Sequence, residues 1–348
     1  MRATLSTPYG WARIDEPDPT LLDIAAATEA AALYAQGYAV GQARLWQLEL
    51  TRRVVDGTLA AWFGPPAVPT DRFQRDLDLR ALAVRERKRD AGTTQARHIA
   101  AYVDGVNRAL AETRALPLEL ALLGCRPRPF TADDVYAIAQ LKYFINSAWQ
   151  FELLHTLCAG HLGAARAAQL FATVADDGTL RDPLPRTDAG AWTDEVAAVV
   201  AAGLAGLAHL GLDSPDLGSN AIAIAGAHTA SGAPMLAADP HMGHVNPGYN
   251  LLCRLTTDDG LAVIGSHFPG APGIVVGRNR DCAWGMVGLM ADNQDLAWGT
   301  IDRDATAVEV AGAWQPLTAT ASTIEVRGAA PVPHVARGGA VGRMLRRR

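Results

Sequence analysis

The chain has 348 residues, 49% hydrophobic and 19% charged, with a formal net charge of −5. That length and apolar content are enough for a sizeable core and exclude wholesale disorder. The mild negative charge gives no footing for a nucleic-acid or anionic-membrane surface, both of which need clustered positive charge.

Met1 to Ser6 has no apolar stretch of the kind a secretory leader needs, which leaves the cytoplasm as the default location. Residues 20–180 read as mainly helical. Tyr34, Tyr38, Leu45 and Leu48 fall on one helical face, and Gly57 and Gly64-Pro65-Pro66 punctuate the end. His98 to Leu123 is a second helical region, broken near Pro117. After the turn-rich Gly124–Phe130, Thr131 with Asp134 three residues on resembles a capping box, and the helix it opens is expected to run through Trp149 and Glu152. Residues 181–218 read as a linker. Within them Val196–Leu212 is apolar but too short and alanine-rich for a membrane span, and suits a surface or spacer helix. After Ser219 the pattern turns to strands, with candidates at 220–225, 234–238, 249–255, 261–264 and 273–276. The glycine- and arginine-rich end, from Arg337 on, does not read as a packed terminus. Cys125, Cys158, Cys253 and Cys282 form no C-x-x-C, so a zinc ribbon or thioredoxin-type site is out, and nothing in their spacing requires disulfides.

The chain lacks a P-loop, a G-x-G-x-x-G, an H-E-x-x-H and a G-x-S-x-G. The junction Gly218-Ser219-Asn220, between linker and strand, carries more content. A serine hydroxyl needs a base. If the chain is cut before Ser219, the new α-amine, with an ordinary pKa near ~8, supplies that base. Gly218 would give the junction the freedom for a strained geometry before cleavage. His241-x-x-His244 has the spacing of a helical zinc pair, but Pro240, Gly243 and Pro247 oppose a helix there.

Four blocks together resemble the N-terminal half of a penicillin acylase precursor, of the N-terminal-nucleophile hydrolases. They are Tyr34–Tyr38 with Gln42–Glu49; Pro117–Glu119 with Leu123–Thr131; Gly218–Ala221 with Ala238–His241; and Pro269–Asn279 with Ala283–Gly285. The resemblance runs from about residue 20 to about 330, and the tail after Pro333 is expected to depart from it. It implies an α+β fold of the αββα type, incomplete at its C-terminus, with a helical segment 1–185, a spacer 186–218 and the start of a β segment 219–348. It implies that Ser219 is the nucleophile, that His241 assists it, and that the backbone N–H of Gly288 is an oxyanion donor. It implies calcium held by Glu152, Asp292, Gln294 and Asp295, oxygen donors that suit a hard cation. The implied activity is hydrolysis of a linear amide in a small acylated substrate: a β-lactam side chain, an acyl-homoserine lactone or another acylated amine. Two departures matter. Ala43 stands where the family has aspartate, so a local ion pair or cap is lost. Family precursors are about twice as long, so the asparagine that completes the oxyanion hole has no match here, and a separate C-terminal half is an expected partner. The alternatives are an inactive truncated or frameshifted fragment, and a helical binding module formed by residues 20–180.

Overall fold

Along Leu21–Ala26 the residues Leu22, Ile24 and Ala26 point inward and their neighbours do not, and this period of two makes the segment a strand. The expected helical region therefore begins later, at Glu29. A computed structural model of the chain describes residues 2–18, 20–147, 149–170, 173–174, 180–181, 193–212, 218–243, 245–288, 294, 296, 299–340 and 342–344. Helix and sheet are both extensive, as an α+β chain requires, and the residues divide into two units.

The first unit comprises Met1–Asp56, Leu79–Lys142 and Leu210–Gly288. Its main sheet has seven strands among the described residues, in the spatial order Arg2–Thr7, Gly10–Asp18, Leu21–Ala26, Leu251–Thr257, Ala262–His267, Val276–Arg278, Ala283–Trp284. Neighbours are antiparallel except the central pair Leu21–Ala26 and Leu251–Thr257, which is parallel and joins the two ends of the unit's sequence. The helix Glu29–Ala43, capped by Thr28 through its hydroxyl, sets Ala31, Ala35 and Ala39 among the sheet's core residues Ile14, Ile24 and Leu255. It also packs on the helix Thr94–Glu112 at backbone contact. A Cβ at Gly37 would lie 2.0 Å from the Tyr102 carbonyl oxygen, and one at Gly105 2.0 Å from that of Tyr34, so only glycine fits at either position.

The blocks of the sequence meet in this unit. The Gln36 side chain accepts from the Gly273 N–H at 2.8 Å and donates to the Gly273 carbonyl at 3.1 Å, and His267 Nδ1 approaches the same carbonyl at 3.1 Å. Asp134, fully buried, accepts from Arg80 and Arg128 and from the backbone N–H and hydroxyl of Thr131. The capping box is thus half formed, the acid reaching back to Thr131 while the threonine hydroxyl donates to the acid. Burial pushes the Asp134 carboxyl up, but these bonds outweigh it and hold it below the usual carboxylate range.

The second unit comprises Gly57–Asp78, Tyr143–His209 and Leu289–Arg348. The helix Ala132–Ile145 does not continue to Glu152. It stops, the Ser147 backbone N–H donates to the Phe144 carbonyl at 3.3 Å, and a new helix starts at Trp149. Phe144 and Trp149 stack at 5.0 Å between centroids, with Phe73 at 6.0 and 5.5 Å from them. Thr193–His209, expected in a linker, is a helix that buries Val196, Val199, Val200 and Leu207. Its Gly203 leaves room for Trp149 and Phe73, and His209 stacks on Phe63 at 5.0 Å. The described part of the tail pairs into a sheet too. Thr318–Ile324, Val332–Gly339 and Gly342–Met344 form one antiparallel sheet, with His334 3.1 Å from Asp76 and the Arg343 Nε donating to the Asp76 carbonyl. Among the described residues no helix is long and apolar enough to cross a membrane, and all four cysteines are free thiols.

Candidate active site

Ser219 is the second residue of the strand Gly218–Ile224, which pairs antiparallel with Met235–His241 in the first unit. The register sets Gly218 opposite His241, Ser219 opposite Pro240 and Asn220 opposite Asp239. Successive side chains of a strand point to opposite faces. Ser219 and Ala221 therefore share one face, and Asn220, Asp239 and His241 share the other.

The segment after Ala283–Trp284 crosses the Ser219 face. A Cβ on Gly285 would lie 2.5 Å from that of Ala238, so glycine is needed for the crossing. Three residues on, the Gly288 N–H donates to Ser219 Oγ at 3.1 Å. Two of the sequence-predicted residues, 69 positions apart, are thus in direct contact.

His241 stands on the other face. Its Nε2 is 3.1 Å from Asp239 Oδ2 and 3.2 Å from Asn220 Nδ2, and among the described residues it makes no hydrogen bond to Ser219. Its Nδ1 edge covers Gly218, where an added Cβ would lie 3.3 Å from Nδ1. This revises the reason for the glycine. Gly218 is not in the left-handed region, and what it supplies is space under the imidazole rather than conformational freedom. Asn220 belongs to the Gly218-Ser219-Asn220 junction and Asp239 to the Ala238–His241 block, but the sequence gives neither a role of its own. Their signal lies in the strand register, which no single segment reveals.

Of the residues that the resemblance implies as calcium ligands, Glu152 and Gln294 are described, in the second unit. Glu152, in the first turn of Trp149–Leu162, accepts from the Leu296 N–H at 2.9 Å, and the Ser147 hydroxyl donates to the Gln294 side-chain oxygen at 2.6 Å. The helix start is thereby tied to Gln294 and Leu296, and both acceptors are hard oxygens with a further lone pair. Asp292 and Asp295 lie outside the described residues, as does His244 of the zinc alternative. Among the described residues no cluster of three or more His, Cys, Asp or Glu is placed to hold a metal.

The penicillin amidase family profile matches residues 20–347. The tail after Pro333, expected to depart from the family, lies inside that match. Penicillin acylase 2 proenzyme of Pseudomonas sp. (strain SE83) is 32% identical over 88% of this chain and 40% of its own length. Acyl-homoserine lactone acylase QuiP of Pseudomonas aeruginosa is 30% identical over 87% of this chain and 36% of its own. Acyl-homoserine lactone acylase PvdQ of Pseudomonas syringae pv. syringae is 29% identical over 75% of this chain and 31% of its own. The chain spans about two fifths or less of the length of these curated relatives. A thermostable penicillin G acylase from Alcaligenes faecalis aligns over 50% of this chain and 98% of the matched chain, at 25% identity and a TM-score of 0.37. On the profile match and these relatives, the chain belongs to the penicillin amidase family.

Proposed function

We propose that this chain is the precursor part of an acylase that cuts itself between Gly218 and Ser219 and then hydrolyses a linear amide through the freed Ser219. The observation that carries the reading is the 3.1 Å hydrogen bond from the Gly288 N–H to Ser219 Oγ. A backbone donor beside a nucleophilic oxygen is what acyl transfer needs, since the oxyanion develops on the carbonyl that this oxygen attacks.

The first reaction is internal. Ser219 Oγ bonds to the Gly218 carbonyl carbon, the Gly218–Ser219 C–N bond breaks, and the nitrogen gains a proton. Water then hydrolyses the ester, leaving a Gly218 carboxylate and a Ser219 hydroxyl next to a free α-amine. In the second reaction that amine takes the hydroxyl proton as Oγ attacks a substrate amide, and Gly288 donates to the oxyanion. The substrate's amine leaves, and water releases the acid from the acyl-ester. Candidate substrates are those in the relatives' names: a penicillin side-chain amide or an acyl-homoserine lactone.

Three further features belong to this reading. The fold is of the αββα N-terminal-nucleophile type, its parts being 1–185, 186–218 and 219–348. Calcium is held by Glu152, Asp292, Gln294 and Asp295, and when bound it supplies charge that fixes the start of the Trp149–Leu162 helix. A separate C-terminal half supplies the second oxyanion donor. In favour of such a partner, Ile222, Ile224 and Met235 stand exposed on the strand pair that bears Ser219.

The test is amine release from a panel of acyl amides, by this chain alone and with the C-terminal half of a relative added. The reading expects little release alone, a rise on addition, and loss in Ser219→Ala. Release that survives Ser219→Ala would overturn it.

A further inference from the structure

The His241 edge that is turned away from the scissile junction meets two partners that compete for one atom. Nε2 is within hydrogen-bond reach of Asp239 Oδ2 and of Asn220 Nδ2. A ring nitrogen either donates to the carboxylate or accepts from the amide, and cannot do both. With Nε2–H on Asp239, the ring can carry a second proton on Nδ1, the atom that covers Gly218. Asp239 is the one carboxylate within ion-pair distance of His241 among the described residues, and Asn220 adds no charge.

The two faces of the strand pair give this arrangement a chemical meaning. Peptide planes in a strand lie close to the plane of the sheet. Ser219 Oγ stands on one face, so it attacks the Gly218 carbonyl carbon from that side. As the carbon becomes tetrahedral, the nitrogen pyramidalises and its lone pair develops on the opposite side. That is the side of Asn220, Asp239 and His241. The nitrogen must be protonated before the C–N bond can break.

We propose that Asp239 is a positioning residue for self-cleavage: by accepting from Nε2 it sets the His241 ring on the face opposite Ser219 Oγ with Nδ1 over Gly218, where the protonated ring gives its Nδ1 proton to the nitrogen that leaves Gly218. The proposal rests on cleavage at Gly218–Ser219. Oγ–C forms and C–N breaks, the nitrogen takes the Nδ1 proton, the serine hydroxyl proton goes to water, and water returns a proton to the imidazole. Asp239 stays ionised throughout. Asn220 holds the neutral ring through Nε2 between these events.

The test is the rate of self-cleavage of the full chain between pH 5 and 8.5, followed by intact mass, for the parent, Asp239→Asn and Asp239→Glu. Asp239→Asn keeps the size of the side chain and removes its charge. The expected result is a loss of up to about 10²-fold in Asp239→Asn and partial recovery in Asp239→Glu. In the uncleavable Ser219→Ala chain, NMR contacts between the His241 ring and the Gly218 α-protons should weaken when Asp239→Asn is added. No loss overturns the proposal, as does a His241 ring that keeps its place over Gly218 in Asp239→Asn. A parent chain that never cleaves overturns the cleavage reading as well, so the two failures are distinguishable.

Discussion

His267 gives the sharpest test of the packing in the first unit. It is fully buried at the end of Ala262–His267, its Nδ1 3.1 Å from the Gly273 carbonyl, with Tyr102 edge-on at 6.0 Å. Nδ1 must carry the proton, because its partner is a carbonyl. Nε2 is buried with no hydrogen-bond partner. A second proton would have to sit there, so burial pushes the imidazole down to about 4 from 6.5. The unfolded chain binds this proton more readily, so stability rises with pH between those values. The contribution is complete above pH 6.5 and is lost as pH falls toward 4. At about 1.4 kcal/mol per pH unit it amounts to about 3 kcal/mol in all, of which about 2 kcal/mol is gone by pH 5. In His267→Asn the amide nitrogen can still donate to Gly273, and nothing at the site titrates. That variant should be less stable at pH 8 by about 1–3 kcal/mol for the lost ring atoms, and should lose about 2 kcal/mol less than its parent between pH 8 and 5. The assay is urea unfolding of the Ser219→Ala chain at each pH, read by hydrogen exchange in Leu251–Thr257 and Ala262–His267. Equal acid losses in variant and parent would refute the reasoning.

Asp134→Asn should cost about 3–5 kcal/mol, because Arg80 and Arg128 lose a buried carboxylate partner. Since that carboxyl is held below its ordinary range, its contribution is present above pH ~4 and lost as pH falls further, which a denaturant series from pH 7 to 3 measures. Chelator should lower the melting temperature of the second unit. Calcium at 100 times its Kd should raise its stability by about 2.7 kcal/mol, and Glu152→Ala should remove both effects. Arg44 has a buried Nε without a hydrogen-bond partner, beside Ala43, where the resemblance implies an aspartate. Ala43→Asp should stabilise the first unit by about 1 kcal/mol, and a melting temperature that falls would contradict that.

The parts of the fold legible in the sequence were those set by local periodicity or by turn residues. Thr94–Glu112 and Leu118–Leu123 flank Pro117 as the sequence predicts, and the strands after Ser219 fall near their expected places. The stop at Ile145 was not legible, because neither Asn146 nor Ser147 is a glycine or proline and the turn is closed by the Ser147 backbone N–H on the Phe144 carbonyl. The alanine-rich helix Thr193–His209 resembles a spacer in composition. Its burial depends on Gly203 fitting Trp149 and Phe73, both distant in sequence. The same holds at the candidate site. Ser219 and Gly288 come together through family resemblance, not through any spacing rule, and the structure sets the Gly288 N–H 3.1 Å from Ser219 Oγ. Asp239 and Asn220 became visible only when the register placed them opposite one another beside His241.

The account turns on one bond. N-terminal sequencing of the fragments formed by the purified chain should find a single new start, Ser-Asn-Ala-Ile at position 219, absent when Ser219 is alanine. A new start at any other residue, or one that persists in Ser219→Ala, would contradict it.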